Sequence, residues 1–363
     1  MIHEIDFACS LSVVAWRSYE SGNSESAKAL YRKALRVFQR SLEKNESEVA
    51  AILLRLGTIL ENNREFSEAG QCFRRACDLL ESLDGDKRIA RLKVRAFYHF
   101  GRIRRMQGCN SEAESLLKKA VYIAEAKLGC HDVEFALALN QLAMYRKQVG
   151  DLDHAKANYY RALRILETNS GSEDEKIASV YHNLADLEYA RGRYRKGEPF
   201  ARKAALIRMK ALGPDHPDVA HDLSMLASLL QAQGKFKEAE KLYTRGLSLI
   251  QAKYSMDHYE VAIYMFHLAT LHVARCEYQQ AEWLFWQALT IKEKNLGPNH
   301  TDCAMTALQL ADLYKNQRKF EEAQILCHKA LVILEKILEP DNPQLLRARQ
   351  SYAWLCQLEE TVA

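Results

Sequence analysis

The chain has 363 residues, 48% hydrophobic and 27% charged, with only 6 Pro and 15 Gly, which excludes collagen-like or disordered linker sequence and fits a folded helical protein. A formal net charge of +4 over this length gives a nucleic-acid partner no support from bulk electrostatics.

The N-terminal MIHEIDFACSLSVVAW lacks the basic start and unbroken apolar run of a signal peptide, and no later stretch is apolar enough to span a membrane. A cytoplasmic protein is expected. The nine cysteines are odd in number and form no CxxC pair, so they read as reduced thiols filling helix cores, not as a disulfide framework.

Along the chain a small residue recurs at Ala27, Ala69, Ala113, Ala155, Gly197, Ala239, Ala281 and Ala323, in steps of 42, 44 and then 42 throughout. A second small residue follows each by seven positions, from Ala34 to Ala330, and a third precedes each by twelve, from Ala15 to Ala311. Two helical turns separate the first pair, so both lie on one face, where small side chains let helices approach closely. Such a period predicts hairpins of two helices stacked on one another. Glycine marks the joint between the helices at Gly22, Gly108, Gly150, Gly192 and Gly234; Arg64, Cys276 and Arg318 take its place elsewhere. New hairpins begin at His216-Pro217 and Asn342-Pro343, a polar cap followed by Pro at a helix start. The expected fold is all-α, a right-handed α-solenoid of about eight hairpins across residues 1–363. A helix over 343–360 is expected to cap its open end.

The stretches LGPDHPDVA at 212–220, LGPNHTDCA at 296–304, HNLADLEYARGRYRKGEPFARKAAL at 182–206 and LADLYKNQRKFEEAQ at 310–324 carry a resemblance. They resemble the tetratricopeptide repeat in its longer, kinesin-light-chain-like form, with repeats of 42 residues. That resemblance implies a scaffold that binds proteins or peptides, although the family's partners are diverse. A kinesin light chain would also carry an N-terminal heptad coiled coil; here the first repeat helix starts within the first dozen residues, so a motor subunit is not expected.

No GxxxxGK[ST], GxGxxG, HExxH, GxSxG or CxxC motif is present, and pairs such as His267 and His272 are five apart, a poor spacing for metal ligation on a helix. No enzyme activity, cofactor or metal site is expected. A binding surface is more legible, because the first helix of each hairpin should line the concave side. The third repeat contributes Arg95, Tyr98, His99, Arg102 and Arg105, the fourth Asn140, Gln141, Met144 and Lys147, and the fifth His182, Asn183, Asp186 and Tyr189. The sixth adds His221, Ser224, Ser228 and Gln231. Asn140 and Asn183 match asparagines of the family's NNLA-type motif, here NQLA and HNLA, and the resemblance implies that they contact bound peptide. An extended acidic peptide fits this row. The alternative is that Arg91, Arg95, Arg102, Arg104 and Arg105 form a solvated face paired with Glu residues of adjacent repeats.

On the convex side Trp283 and Trp286 stand in columns that are mostly polar elsewhere, Gln324 being placed level with Trp283, and they mark a patch for a partner or for self-association. Of the two, Trp283 is expected to fold down onto the turn before the eighth repeat and Trp286 to stay exposed. Two functions remain open: a scaffold or adaptor for an acidic peptide or partner domain, and a regulator whose solenoid responds to a small peptide or signal ligand. A single-stranded nucleic acid would want aromatics interleaved with a basic strip over several repeats, and only Tyr98 hints at that.

Overall fold

The three small-residue columns become the sites where helices touch. In a computed structural model that describes residues 2–38, 45–83, 85–169, 171, 174–338, 340 and 342–362, every regular element is helical. There are 17 α-helices among the described residues, with one π-helical turn at Ala124–Leu128. The chain divides into two compact units, Met1–Ser172 and Glu173–Ala363.

The first unit holds four hairpins: α1 (Ile2–Glu20) with α2 (Ser24–Phe38), α3 (Glu46–Asn62) with α4 (Phe66–Glu81), α5 (Lys87–Met106) with α6 (Asn110–Ile123), and α7 (Val133–Gln148) with α8 (Leu152–Asn169). The second holds four more: α9 (Glu175–Ala190) with α10 (Tyr194–Leu212), α11 (Pro217–Ala232) with α12 (Phe236–Lys253), α13 (Tyr259–Ala274) with α14 (Tyr278–Leu296), and α15 (Thr301–Asn316) with α16 (Phe320–Ile337). A last helix, α17 (Pro343–Val362), buries Leu345, Ala348 and Leu355 in the same core as the hairpins before it.

Helix starts are set by side chains that accept from the first free amides. Asp86 accepts from Arg88 N–H at 2.9 Å, Asp132 from Glu134 at 2.9 Å and Asp174 from Lys176 at 2.8 Å. His216, His258 and His300 do the same through Nδ1 at 3.1–3.2 Å, and Asn342 through Oδ1 at 2.9 Å. Each such cap stabilises its helix by about 1 kcal/mol. Glycine at the joints has positive φ, and so do the three residues that replace it, Arg64 at 64°, Cys276 at 60° and Arg318 at 61°. The turn geometry is therefore imposed by the hairpin, whichever residue occupies the position.

The small columns are wholly buried, as at Ala185, Ala227, Ala239 and Ala281. At Gly246 on α12 a β-carbon would lie 2.5 Å from the Tyr264 ring of α13; at Gly197 on α10 it would meet Leu229 of α11 at 2.8 Å and the Ala185 carbonyl of α9 at 3.1 Å. These contacts are closer than a methyl group allows, so the backbone separation itself depends on glycine. Cys72, Cys77, Cys303 and Cys327 fill the core as expected, and burial pushes the Cys77 thiol up to about 12 and the other three to about 11. Cys9, Cys130 and Cys276 are instead exposed.

Candidate functional site

Helix α5 brings one row of arginines onto one face because Arg91, Arg95, Arg102 and Arg105 follow the i, i+4, i+7 rhythm of a helix. Each meets a group from a neighbouring first helix. Arg91 Nη2 donates to Asp132 at 2.9 Å, and Arg95 Nε to Glu134 at 2.7 Å, both acids standing at the start of α7. Arg102 donates to Glu61 at the end of α3, a carboxylate that also lies 3.7 Å from His99 Nδ1. Arg88 reaches Glu48 at 3.0 Å, and Arg104 reaches Glu112 at 2.6 Å. Arg105 differs: its Nη1 donates to the neutral Gln148 Oε1 at 2.8 Å, and its Nε is buried without a partner.

Burial alone would raise the Glu61 carboxyl; the nearby His99 imidazole and the charge of Arg102 outweigh that and hold it below its ordinary value. His99 lies flat against Phe73, rings 4.9 Å apart, and burial pushes its imidazole down to about 4, so it is neutral at pH 7. Tyr98 does not face a groove as expected. It shares the face of Arg95 and Arg102 but is only 7% exposed, its ring tilted against His99 at 4.6 Å and set beside the ion pairs of Arg95 with Glu134 and Arg102 with Glu61. Asn140 on α7 is likewise buried, at 6%, while Gln141, Met144 and Lys147 are half-buried.

In the second unit α9 carries His182, Asn183, Asp186 and Tyr189. His182 Nδ1 lies 2.8 Å from Asp222 Oδ1, and Arg208 Nε donates to the other carboxylate oxygen at 2.6 Å. Asp222 is fully buried on α11, so its charge is matched inside the protein by Arg208 and leaves His182 held in one orientation. Asn183 and Asp186 are half-buried, and Tyr189 is exposed with its ring tilted against Tyr194 at 5.3 Å. On α11, Ser228 Oγ pairs with the Tyr243 hydroxyl at 2.8 Å and Gln231 accepts from the same hydroxyl at 3.2 Å, so these two are tied into the hairpin. Asp222 escaped sequence reasoning, although a charged residue in a column held elsewhere by Ile52, Ala96, Ala138 and Val180 was a usable signal.

Trp286 is exposed as expected, at 41%, whereas Trp283, expected to fold down, is exposed too. Trp283 is 60% exposed and borders a cavity of about 420 Å³ with His272, Gln279, Gln280 and Leu284; Trp286 donates its indole N–H to Tyr314 at 3.3 Å. Trp283 lies beside His272 of α13, whereas Trp286, three residues further on, reaches Tyr314 of α15. The 42-residue step places Ile325, not Gln324, level with Trp283, and Ile325 is 70% exposed. No group of three potential metal ligands gathers among the described residues, and no helix among them is long and apolar enough to cross a membrane.

Paired helices repeated in fixed register, with small residues at every contact, define a helical-repeat scaffold. The tetratricopeptide repeat signature matches residues 93–168, 176–252, 224–294 and 302–360, and the chain belongs to the tetratricopeptide repeat family. None of the curated proteins matches the sequence. Among solved structures, the Rap conjugation gene regulator of plasmid pLS20, in complex with the Phr* peptide, is 20% identical with a TM-score of 0.62, covering 79% of this chain and 74% of its own. A signal transduction ATPase with a tetratricopeptide repeat sensor from Pyrococcus horikoshii is 16% identical with a TM-score of 0.61, covering 94% of this chain and 50% of its own. BtubC from P. vanneervenii, 21% identical, covers 69% of this chain and 92% of its own with a TM-score of 0.46.

Proposed function

We propose that the protein is a non-catalytic interaction scaffold whose α5–α7 face in the first unit receives an extended acidic segment of a partner. One observation carries this reading: Arg105 is a half-buried guanidinium held by a neutral amide, while its neighbours Arg91, Arg95 and Arg102 already have acids. Burial and, secondarily, the charge of Arg102 pull the Arg105 guanidinium below its ordinary value, so an arriving carboxylate would relieve a charge the protein leaves uncompensated. The other arginines then serve to order the face. His182, Asn183, Asp186 and Tyr189 offer a separate set of polar contacts on the second unit. The Rap regulator solved with its peptide supports a peptide ligand on this fold.

Screening a random peptide array with the full chain tests the reading. Acidic sequences should be enriched, Arg105→Glu should abolish the enrichment, and Arg91→Ala should leave it. Enrichment that ignores Arg105 would overturn it. The same neighbour and the sensor of the Pyrococcus horikoshii ATPase favour a second reading, a regulator that responds to its ligand. In that case a selected peptide should change hydrogen exchange in hairpins that it does not contact; in a passive adaptor, protection stays local.

A further inference from the structure

The joint between α9 and α10 breaks a local rule that six of the other seven hairpins keep. Helix N-termini carry positive dipole charge, and acids in the first turn complement it. Glu25, Glu68, Glu112, Asp153, Glu238 and Glu321 occupy the first turns of α2, α4, α6, α8, α12 and α16, and α14 begins with the neutral Tyr278-Gln279-Gln280. Helix α10 begins Tyr194-Arg195-Lys196, with Arg193 as its N-cap residue. None of the three cations makes a side-chain hydrogen bond or ion pair among the described residues.

All three line a cavity of about 770 Å³ within the second unit, and Lys235, from the α11–α12 joint, lines its far side. One acid also borders it, Glu198. That carboxylate is saturated: it accepts from Arg202 Nη2 at 2.7 Å, Gln233 Nε2 at 2.9 Å and Lys235 Nζ at 3.0 Å. Burial would raise it, yet these donors hold it down at about 2, so its charge is already spent within the wall. What remains is an excess of three unpaired cations, from four consecutive residues, facing one concave space.

We propose that this cavity binds a compact polyanion of oligophosphate chemistry. Carboxylates along a peptide are spaced too widely for three cations of a single turn, whereas linked phosphates concentrate several charges within a few ångströms and accept both guanidinium and ammonium donors. Tyr194 in the wall, backed by Tyr189, offers an aromatic face to a base if the phosphates belong to a nucleotide. The site goes beyond the peptide reading and does not rest on it.

Calorimetric titration of the full chain with inorganic tripolyphosphate, at constant ionic strength, tests the proposal. Arg195→Ala/Lys196→Ala should weaken binding at least about tenfold, the loss expected for charge-assisted contacts. Lys336→Ala, an exposed cation on α16, and Arg105→Glu should leave it unchanged; the latter keeps this site distinct from the peptide face. ATP binding more tightly than tripolyphosphate, with the advantage lost in Tyr194→Ala, would identify a nucleotide as the source, and equal binding would identify a bare phosphate chain. Three results overturn the proposal: no binding by the wild type, equal weakening by Lys336→Ala, or equal binding of sulfate.

Discussion

Helix α5 and the α9–α10 joint look alike as strings, RIARLKVR with RIRR against RGRYRK, but the protein treats their cations in opposite ways. On α5, four of the arginines end on acids roughly 40 residues away in sequence, because the 42-residue register sets the first helices of successive hairpins side by side. At the joint the nearby acid, Glu198, is taken by Arg202, Gln233 and Lys235, and none pairs with Arg193, Arg195 or Lys196. The lesson is that a cationic run in a repeat protein says little by itself; what matters is whether the column one repeat away supplies the anion.

The sharpest way to break this contrast is Glu61→Gln, which removes the buried anion under Arg102 and His99. Breaking a buried pair leaves an uncompensated charge, so unfolding by urea should show a loss of about 3 kcal/mol in the first unit. A solvated face would lose almost nothing. Next in size is the pH dependence. His99 and His267 both titrate near 4 in the folded chain, held down chiefly by burial, against about 6.5 when unfolded. Protonation therefore favours the unfolded state: stability is full above about pH 6.5 and falls by about 1.4 kcal/mol per pH unit per histidine as pH drops toward 4. His99→Gln should remove that slope from the first unit and leave it in the second, as followed by hydrogen exchange.

The joint should respond with the opposite sign. Arg195→Glu restores the acid that other first turns carry, and the melting curve should show a gain of about 0.3–1 kcal/mol even as tripolyphosphate binding is lost. Smallest is Arg88→Ala. Its partner Glu48 is reached from a largely exposed position, and such pairs contribute about 0–1 kcal/mol, so a shift within about 0.5 kcal/mol is expected in the same melt.

Spacing was the most legible property of the sequence. Three columns of small residues predicted the helix pairing, and the joint column set Arg64, Cys276 and Arg318 in the place of glycine, where the structure gives each the same positive φ. Side-chain direction was less legible. Tyr98 lies three and four residues from Arg95 and Arg102, and Asn140 four from Met144, so each shares its helix face with the expected row; what buries them is the packing of the neighbouring first helices against that face, which the phase of a single helix does not give. The acids opposite α5 were present in the sequence but became partners only once the register and rotamers were fixed. Asp222 and Ile325 were readable from their columns, the first as a charge among apolar residues and the second by an exact count of 42.

The close contacts at Gly197 and Gly246 have a consequence for how substitutions are distributed over the chain. Because a small, buried residue recurs in these columns in each hairpin, intolerance to larger side chains should itself be periodic. A saturation scan plotted against residue number should show a comb with teeth 42 residues apart, slipping by two between the second and third hairpins, where Ala69 to Ala113 spans 44. Between the teeth the surface is free to vary, and it is there, at positions such as Arg105 and Arg195, that one hairpin can acquire a ligand the others lack.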